Sequence, residues 1–267
     1  SSYGSIFDHV MLIRFLSLTS FLTDMRRSDR SEQAVSIPVG RSSVNARVQI
    51  KQSPVVVIAT HPWGPLGGSM HDPHPVTVCQ LFGDAGCSTA RFNFRGGINR
   101  GLSSVEDVKA VAAWFTHPRD GQEPLASQVL IVGYSYGTMP AAAAASQIPE
   151  NIGWAVIGPP LDYGWAVYLF NTQRLISMAA DSAGKPKLVA WTRNDVFCGE
   201  SGYRSFFERL PEPKETVVMP EDVDHFSYYV HLPKLMKDWV TSAFKVQDLQ
   251  AFARTGSQAT APQCGNP

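Results

Sequence analysis

The sequence has no excess of charge of either sign, because 23 lysine and arginine residues face 23 aspartate and glutamate residues. It also lacks a basic block, an internal repeat and a low-complexity tract. Nucleic acids and anionic surfaces are bound by basic patches, so this balance argues against either partner. The 267 residues, of which 44% are hydrophobic, suit a single α/β domain with a large core.

Cysteine is scarce, and no two cysteines have C-x-x-C spacing or form a cluster with histidine at zinc spacing. This pattern predicts free thiols in a reducing compartment, which favours a soluble cytoplasmic protein, while one disulfide stays an open alternative. The four cysteines are Cys79, Cys87, Cys198 and Cys264.

Long uncharged apolar runs are missing as well. Residues 5–25 are rich in apolar side chains, but Arg14 interrupts them, and the stretch from Phe15 to Thr23 is too short to span a bilayer. No cleavage pattern of a signal peptide follows. We expect residues 1–34 to form a helical segment packed on the domain. Interfacial contact through this helix is the alternative, which the lack of a lysine and arginine cluster on its polar face disfavours.

The most informative stretch runs from Val129 to Gly137. Four aliphatic residues predict a buried parallel strand, and a G-x-S-x-G pattern centred on Ser135 follows at once. Pro140 and five alanines then predict a helix. Strand, tight turn and helix are the context of a nucleophile elbow, in which the turn exposes the serine hydroxyl.

Predicted strands and helices alternate through most of residues 35–245. This order predicts an α/β domain with a mostly parallel central sheet and helices on both faces. We expect residues 246–267 to form a loose C-terminal tail. Chemistry in such sheets lies at the C-terminal strand ends, where Ser135, Asp195, His225 and the loop that begins at His61 all fall.

These motifs resemble the α/β-hydrolase family. The loop from His61 to Gly68, the segment from Arg91 to Gly96 and the chain order Ser, Asp, His are similar to its compact members, which are dienelactone-hydrolase-like or esterase-like. The resemblance covers roughly Val35 to Phe244 and implies a small lid or none.

The resemblance implies a catalytic triad of Ser135, His225 and Asp195. His225 follows the last predicted strand, where the family places its base, and Asp195 follows the strand before it, where the family places its acid. Asp162 is the second candidate for the acid, because some relatives use that position. A serine hydroxyl needs such a base, and the base needs a partner that fixes its tautomer.

Two backbone N–H groups are expected to form the oxyanion hole. One belongs to Tyr136, directly after the nucleophile. The other comes from the loop after the strand that ends at Thr60, where the family pattern favours Trp63 over Gly64. His61 is interpreted as a packed histidine that holds this loop, and Arg95 receives no chemical role.

Aromatic residues near these positions are expected to line the substrate site. A wall with few charges favours an uncharged ester or acyl group and offers no clamp for phosphates or sugars. The predicted wall consists of Tyr134, Trp165, Tyr168 and Phe197.

The residues therefore predict a serine hydrolase that cleaves small-molecule carboxylic esters through an acyl-enzyme, with no metal and no organic cofactor. An acyltransferase, a thioesterase or a peptidase would use the same triad, since fold and triad do not fix the substrate. A ligand-binding protein on a hydrolase scaffold is the further alternative.

Overall fold

A computed structural model describes residues 32–96, 101–119 and 121–256. Eight strands form a single sheet in the order β1-β2-β4-β3-β5-β6-β7-β8. Strand β2 pairs antiparallel with β4, whereas the pairs from β4 to β8 are all parallel. The strands are β1 (Gln33–Val39), β2 (Ser42–Gln49), β3 (Val55–Thr60), β4 (Ser88–Phe92), β5 (Gln128–Tyr134), β6 (Asn151–Ile157), β7 (Lys187–Trp191) and β8 (Lys214–Val218).

Helices cover both faces of this sheet. Alternate residues of β3 show this, because Val56 and Ile58 belong to one apolar cluster and Val55 and Val57 to another. Helices α2 and α3 pack in the first cluster, and α1 and α7 in the second. The helices are α1 (Pro73–Asp84), α2 (Leu102–Thr116), α3 (Thr138–Ala145), α4 (Gly164–Val167), α5 (Thr172–Ala180), α6 (Glu200–Arg209), α7 (Leu232–Phe244) and α8 (Leu249–Thr255).

The central strands are mostly apolar, with polar residues only at their ends, as suits a strand buried on both sides. Every residue of β3 is buried, and so is every residue of helix α3, whose small alanine side chains let the helix lie close to the sheet. The predicted fold class, a mostly parallel sheet with helices on both faces, is confirmed. The connection between β6 and β7 holds only two short helices, α4 and α5.

Two expectations differ from the structure. Residues 249–255, predicted as part of a loose tail, form helix α8, because Phe252 and Leu249 insert into the core and Asp248 caps the helix through the Ala251 N–H. Residues 257–267 lie outside the described residues. Ser104, whose residue type and place before an apolar run predict a cap for helix α2, lies inside that helix with its side chain buried.

The helical segment predicted for residues 1–34 lies, up to residue 31, outside the described residues and stays a prediction. Within the part of the chain that the structure describes, no helix is both long and apolar enough to cross a membrane.

Candidate active site

Ser135 lies in a sharp turn between β5 and α3. Its φ of 51° falls in the left-handed region, where a side chain is strained. A Cβ on Gly133 would lie 2.8 Å from the carbonyl oxygen of Gly137, and a Cβ on Gly137 would lie 2.9 Å from that of His61. Both glycines of the motif are therefore required, because the backbone passes too close for any side chain.

The hydroxyl of Ser135 begins a chain of hydrogen bonds through buried side chains. Its Oγ is 3.0 Å from Nε2 of His225. Nδ1 of His225 is 2.9 Å from both carboxylate oxygens of Asp195. A carboxylate only accepts hydrogen bonds, so Nδ1 carries the proton of the neutral ring and Nε2 is left to accept from the serine. The structure thus brings together the three residues that the sequence predicted.

Asp195 holds its position through two further donors. The backbone N–H of Phe197 donates to its Oδ1 over 2.8 Å, and the phenol of Tyr228 donates to its Oδ2 over 3.1 Å. Burial raises the pKa of Tyr228, and the charge of Asp195 raises it further, so the phenol stays protonated as a donor. The sequence analysis missed Tyr228, although its place three residues after His225 put it on the same turn.

Contacts from Tyr134 and Gly158 hold His225 in position. The hydroxyl of Tyr134 donates to the carbonyl oxygen of His225 over 2.7 Å. Gly158, with a φ of 58°, packs against the pair: a Cβ there would lie 3.2 Å from Oδ2 of Asp195 and 3.3 Å from Nδ1 of His225. Gly158 therefore leaves the space that lets the acid and the histidine meet.

Asp162, the second candidate for the acid, has a different contact. Its Oδ2 accepts a hydrogen bond from the Gly199 N–H over 2.8 Å, which joins the loops after β6 and β7. The structure therefore gives Asp162 the geometry of a loop-bracing residue, while Asp195 contacts His225.

The loop expected to supply the second oxyanion donor lies against the turn at Ser135. The hydroxyl of Thr60 donates to the Gly137 carbonyl oxygen over 3.0 Å, at the point where this loop leaves β3. Trp63 precedes a short 3₁₀ helix (Gly64–Leu66) in the loop, and its carbonyl oxygen accepts the N–H groups of Leu66 and Gly68. The donor role of Trp63 and Tyr136 stays a prediction.

His61 holds this loop, as the sequence analysis interpreted it. Its Nδ1 donates to the Pro62 carbonyl oxygen over 2.5 Å, and its Nε2 accepts the Phe94 N–H over 3.0 Å. The ring is buried, and burial lowers its pKa from 6.5 to about 4. The histidine is therefore neutral near pH 7, which both hydrogen bonds require.

This pKa makes stability depend on pH. The pKa of His61 is lower in the folded protein than in the unfolded chain, so below pH 6.5 the unfolded chain binds the proton more readily. The folded protein therefore loses stability as the pH falls from about 6.5 to about 4. The expected loss is on the order of 3 kcal/mol in the free energy of unfolding. Denaturant unfolding at several pH values measures it, with His61→Gln as control. In the variant, the free energy of unfolding should fall less steeply with pH in this window. An equally steep fall in both proteins would contradict the assignment of the effect to His61.

Arg95 braces its loop. Its Nε lies 2.5 Å from Oδ1 of Asp107, a carboxylate that is fully buried, and its Nη1 donates to the Val39 carbonyl oxygen over 3.1 Å. The guanidinium thus joins its loop to helix α2 and to strand β1.

The predicted aromatic wall divides in two. Tyr168 is 0% exposed and stacks on Tyr136, and Tyr134 is also buried, so both pack inside the domain, and their role as substrate-binding residues stays a prediction. Phe197 lies with its ring 4.5 Å from that of His225, and Trp165 is exposed on the same edge of the sheet. Aromatic side chains pack in cores as readily as they line sites, and sequence alone does not separate the two.

Tyr136 is held by polar contacts that the sequence did not indicate. Its hydroxyl lies 2.7 Å from Oγ of Ser104 and accepts the Gly101 N–H over 3.0 Å. The phenol of Tyr168 donates to the Tyr136 carbonyl oxygen over 2.9 Å. The residue after the nucleophile is therefore fixed by both its side chain and its backbone.

In residues 32–96, 101–119 and 121–256, no group of three or more histidine, cysteine, aspartate or glutamate side chains is arranged to hold a metal ion.

No model of a protein family matches the chain, and no curated protein sequence is significantly similar to it. Solved structures do resemble it. An α/β serine hydrolase without a lid from Xanthomonas campestris has 21% identity and a TM-score of 0.62, with 79% of this chain and 94% of that chain covered.

Two further structures are similar. An esterase from Pyrococcus furiosus has 18% identity and a TM-score of 0.67, with 82% of this chain and 94% of that chain covered. A dienelactone hydrolase from Anabaena variabilis has 19% identity and a TM-score of 0.62, with 79% and 97% covered. The chain has the α/β-hydrolase fold, in the form without a cap.

Proposed function

We propose that this protein is a serine hydrolase that cleaves uncharged carboxylic esters through an acyl-enzyme, with Ser135 as nucleophile, His225 as base and Asp195 as the acid. The observation that carries the proposal is the chain of hydrogen bonds from the hydroxyl of Ser135 to the carboxylate of Asp195. It has the geometry that activates a serine, and the strained elbow holds the hydroxyl against Nε2 of His225.

Each step of the reaction uses a group in that chain. Oγ of Ser135 attacks the ester carbonyl carbon while Nε2 of His225 takes the hydroxyl proton. The bond to the alcohol oxygen then breaks, and His225 gives the proton to the departing oxygen. Water attacks the acyl-enzyme with the same base, and release of the acid restores Ser135. Asp195 stabilises the imidazolium in both halves.

The tetrahedral intermediates need donors for their negative oxygen. We propose the backbone N–H groups of Tyr136 and Trp63 for this role, because one follows the nucleophile and the other lies in the loop that contacts Gly137. The start of helix α3 adds the positive end of its dipole at the same point.

Two observations support esters over other substrates. The structures similar in fold include proteins described as an esterase and as a dienelactone hydrolase. Four aromatic rings lie beside His225, and those of Phe197 and Phe226 offer an apolar surface to the substrate. The free thiols of Cys79, Cys87 and Cys198 support a reducing compartment, so we propose that the protein works in the cytoplasm.

The substrate class is tested with matched p-nitrophenyl esters that differ only in a terminal carboxylate on the acyl chain. We expect kcat/KM to be about tenfold or more higher for the uncharged ester, because an unpaired carboxylate loses hydration against aromatic rings. Product analysis with added alcohol separates hydrolysis from acyl transfer. Equal or faster turnover of the charged ester would contradict the proposal and indicate a cation at the site.

A further inference from the structure

Large apolar side chains that face water gather at one edge of the sheet. Among the described residues, most of the exposed large hydrophobic side chains follow the ends of β6 or β7 or follow His225, at the edge that holds Ser135. A soluble domain scatters such side chains unless they bind something. Those at this edge are Tyr163, Trp165, Phe170, Val196 and Val230.

A series of ring contacts leads from His225 to this exposed surface. The Phe197 ring lies 4.5 Å from His225, and the Tyr163 ring lies 5.6 Å from Phe197. The Asp162 N–H donates to the Phe197 carbonyl oxygen over 3.2 Å, which fixes the two loops against each other. These rings therefore lead from the candidate active site to Tyr163 on the exposed surface.

A strained turn presents the outer rings. Leu169 and Phe170 have φ values of 47° and 65°, a conformation that bulky residues rarely adopt. The Phe170 N–H donates to the Trp165 carbonyl oxygen over 3.0 Å, and the two rings lie 6.5 Å apart. As a result, Phe170 is 81% exposed and Trp165 is 61% exposed, where ordinary folding would bury them.

The turn is also tied to the nucleophile. Tyr168, directly before the strained pair, donates its phenol proton to the carbonyl oxygen of Tyr136, the residue after Ser135. Tyr163 and Trp165 flank the first residue of helix α4, so one short segment carries both the inner and the outer rings. The exposed rings are thus held in a fixed relation to the elbow.

We propose that Tyr163, Trp165, Phe170, Val196 and Phe197, here called the aromatic rim, bind the hydrocarbon chain of a long-chain ester whose carbonyl group lies at Ser135. This inference rests on the proposed function. A hydrocarbon chain is the occupant that fits, because the rim carries no charged side chain, its polar side-chain groups are the phenol of Tyr163 and the indole N–H of Trp165, and it gains by removing apolar surface from water. The occupant is a single substrate molecule, since the ring contacts lead to His225.

The test compares p-nitrophenyl decanoate with p-nitrophenyl acetate, both below the concentration at which the decanoate forms micelles. The measured quantity is the ratio of the two kcat/KM values. The double variant Trp165→Ser with Phe170→Ser should lower this ratio about tenfold, because several methylene groups lose their apolar partner. Both side chains are exposed, so we expect the variant to fold.

Ile50→Ser is the matched control. Ile50 is a large apolar residue that is 40% exposed, but it follows antiparallel β2 at the opposite edge of the sheet. The control should keep the wild-type ratio. A ratio unchanged in the double variant, or lowered as much in Ile50→Ser, would overturn the inference. The proposed function has a separate test. It is contradicted if hydrolysis of p-nitrophenyl acetate does not depend on Ser135.

Discussion

Replacing Ser135 by alanine is expected to lower kcat for ester hydrolysis by on the order of 10³-fold or more. The substitution removes the only atom that forms a bond to the acyl group, while the oxyanion donors and the substrate site stay in place. The loss should therefore appear in kcat rather than in folding. Steady-state kinetics with a p-nitrophenyl ester measures it, and thermal unfolding checks that the variant is folded.

Ser182→Ala is the matched control for this result. Ser182 is also buried, but its hydroxyl contacts Trp154 and Ala179, before the N-terminal end of β7 and away from His225. This variant should keep the wild-type kcat even if it loses some stability. Wild-type turnover in a folded Ser135→Ala protein would show that another group is the nucleophile.

Asp195→Asn is expected to lower kcat by on the order of 10³- to 10⁴-fold, whereas Asp162→Asn should lower it far less. The amide of asparagine can donate to Nδ1 of His225, which favours the tautomer whose Nε2 carries the proton and cannot accept the serine proton. Asp162 instead accepts the Gly199 N–H, a contact that an asparagine oxygen can also make. Kinetics of both variants on one substrate give the comparison.

The ranking of these two variants decides between the two acids. A larger loss in Asp162→Asn would mean that the loop after β6 supplies the acid, and would contradict the contact between His225 and Asp195. The substitutions are isosteric, so a difference between them reflects charge and hydrogen bonding rather than volume.

The parts of this site that the sequence predicted are local in the chain. The elbow at Ser135 could be predicted because a strand, two glycines and a helix follow one another within a few residues. Asp195 and His225 could be predicted because the α/β-hydrolase family, which the motifs resemble, places its acid and its base after these strands, and parallel strands bring their C-terminal ends to one edge. The alternation of predicted strands and helices was enough for the fold class.

The parts that the sequence did not predict depend on contacts between distant residues. Gly158 and Tyr228 are needed around the acid only because β6, β7 and the turn after His225 meet there. Tyr168 was predicted to line the substrate site, and its burial through the contact with Tyr136 could not be seen from the chain order. Helix α8 was missed because Phe252 finds its place in the core only in the folded chain.

The most direct test of the account is covalent labelling of the wild-type protein with a fluorophosphonate, followed by mass spectrometry of the digested chain. Such a reagent reacts with a serine only when a base activates it and donors hold its oxygen. We expect a single adduct, on the peptide that contains Ser135, with ester hydrolysis lost in proportion to labelling. An unlabelled Ser135 in the folded protein, or full activity after complete labelling, would contradict it.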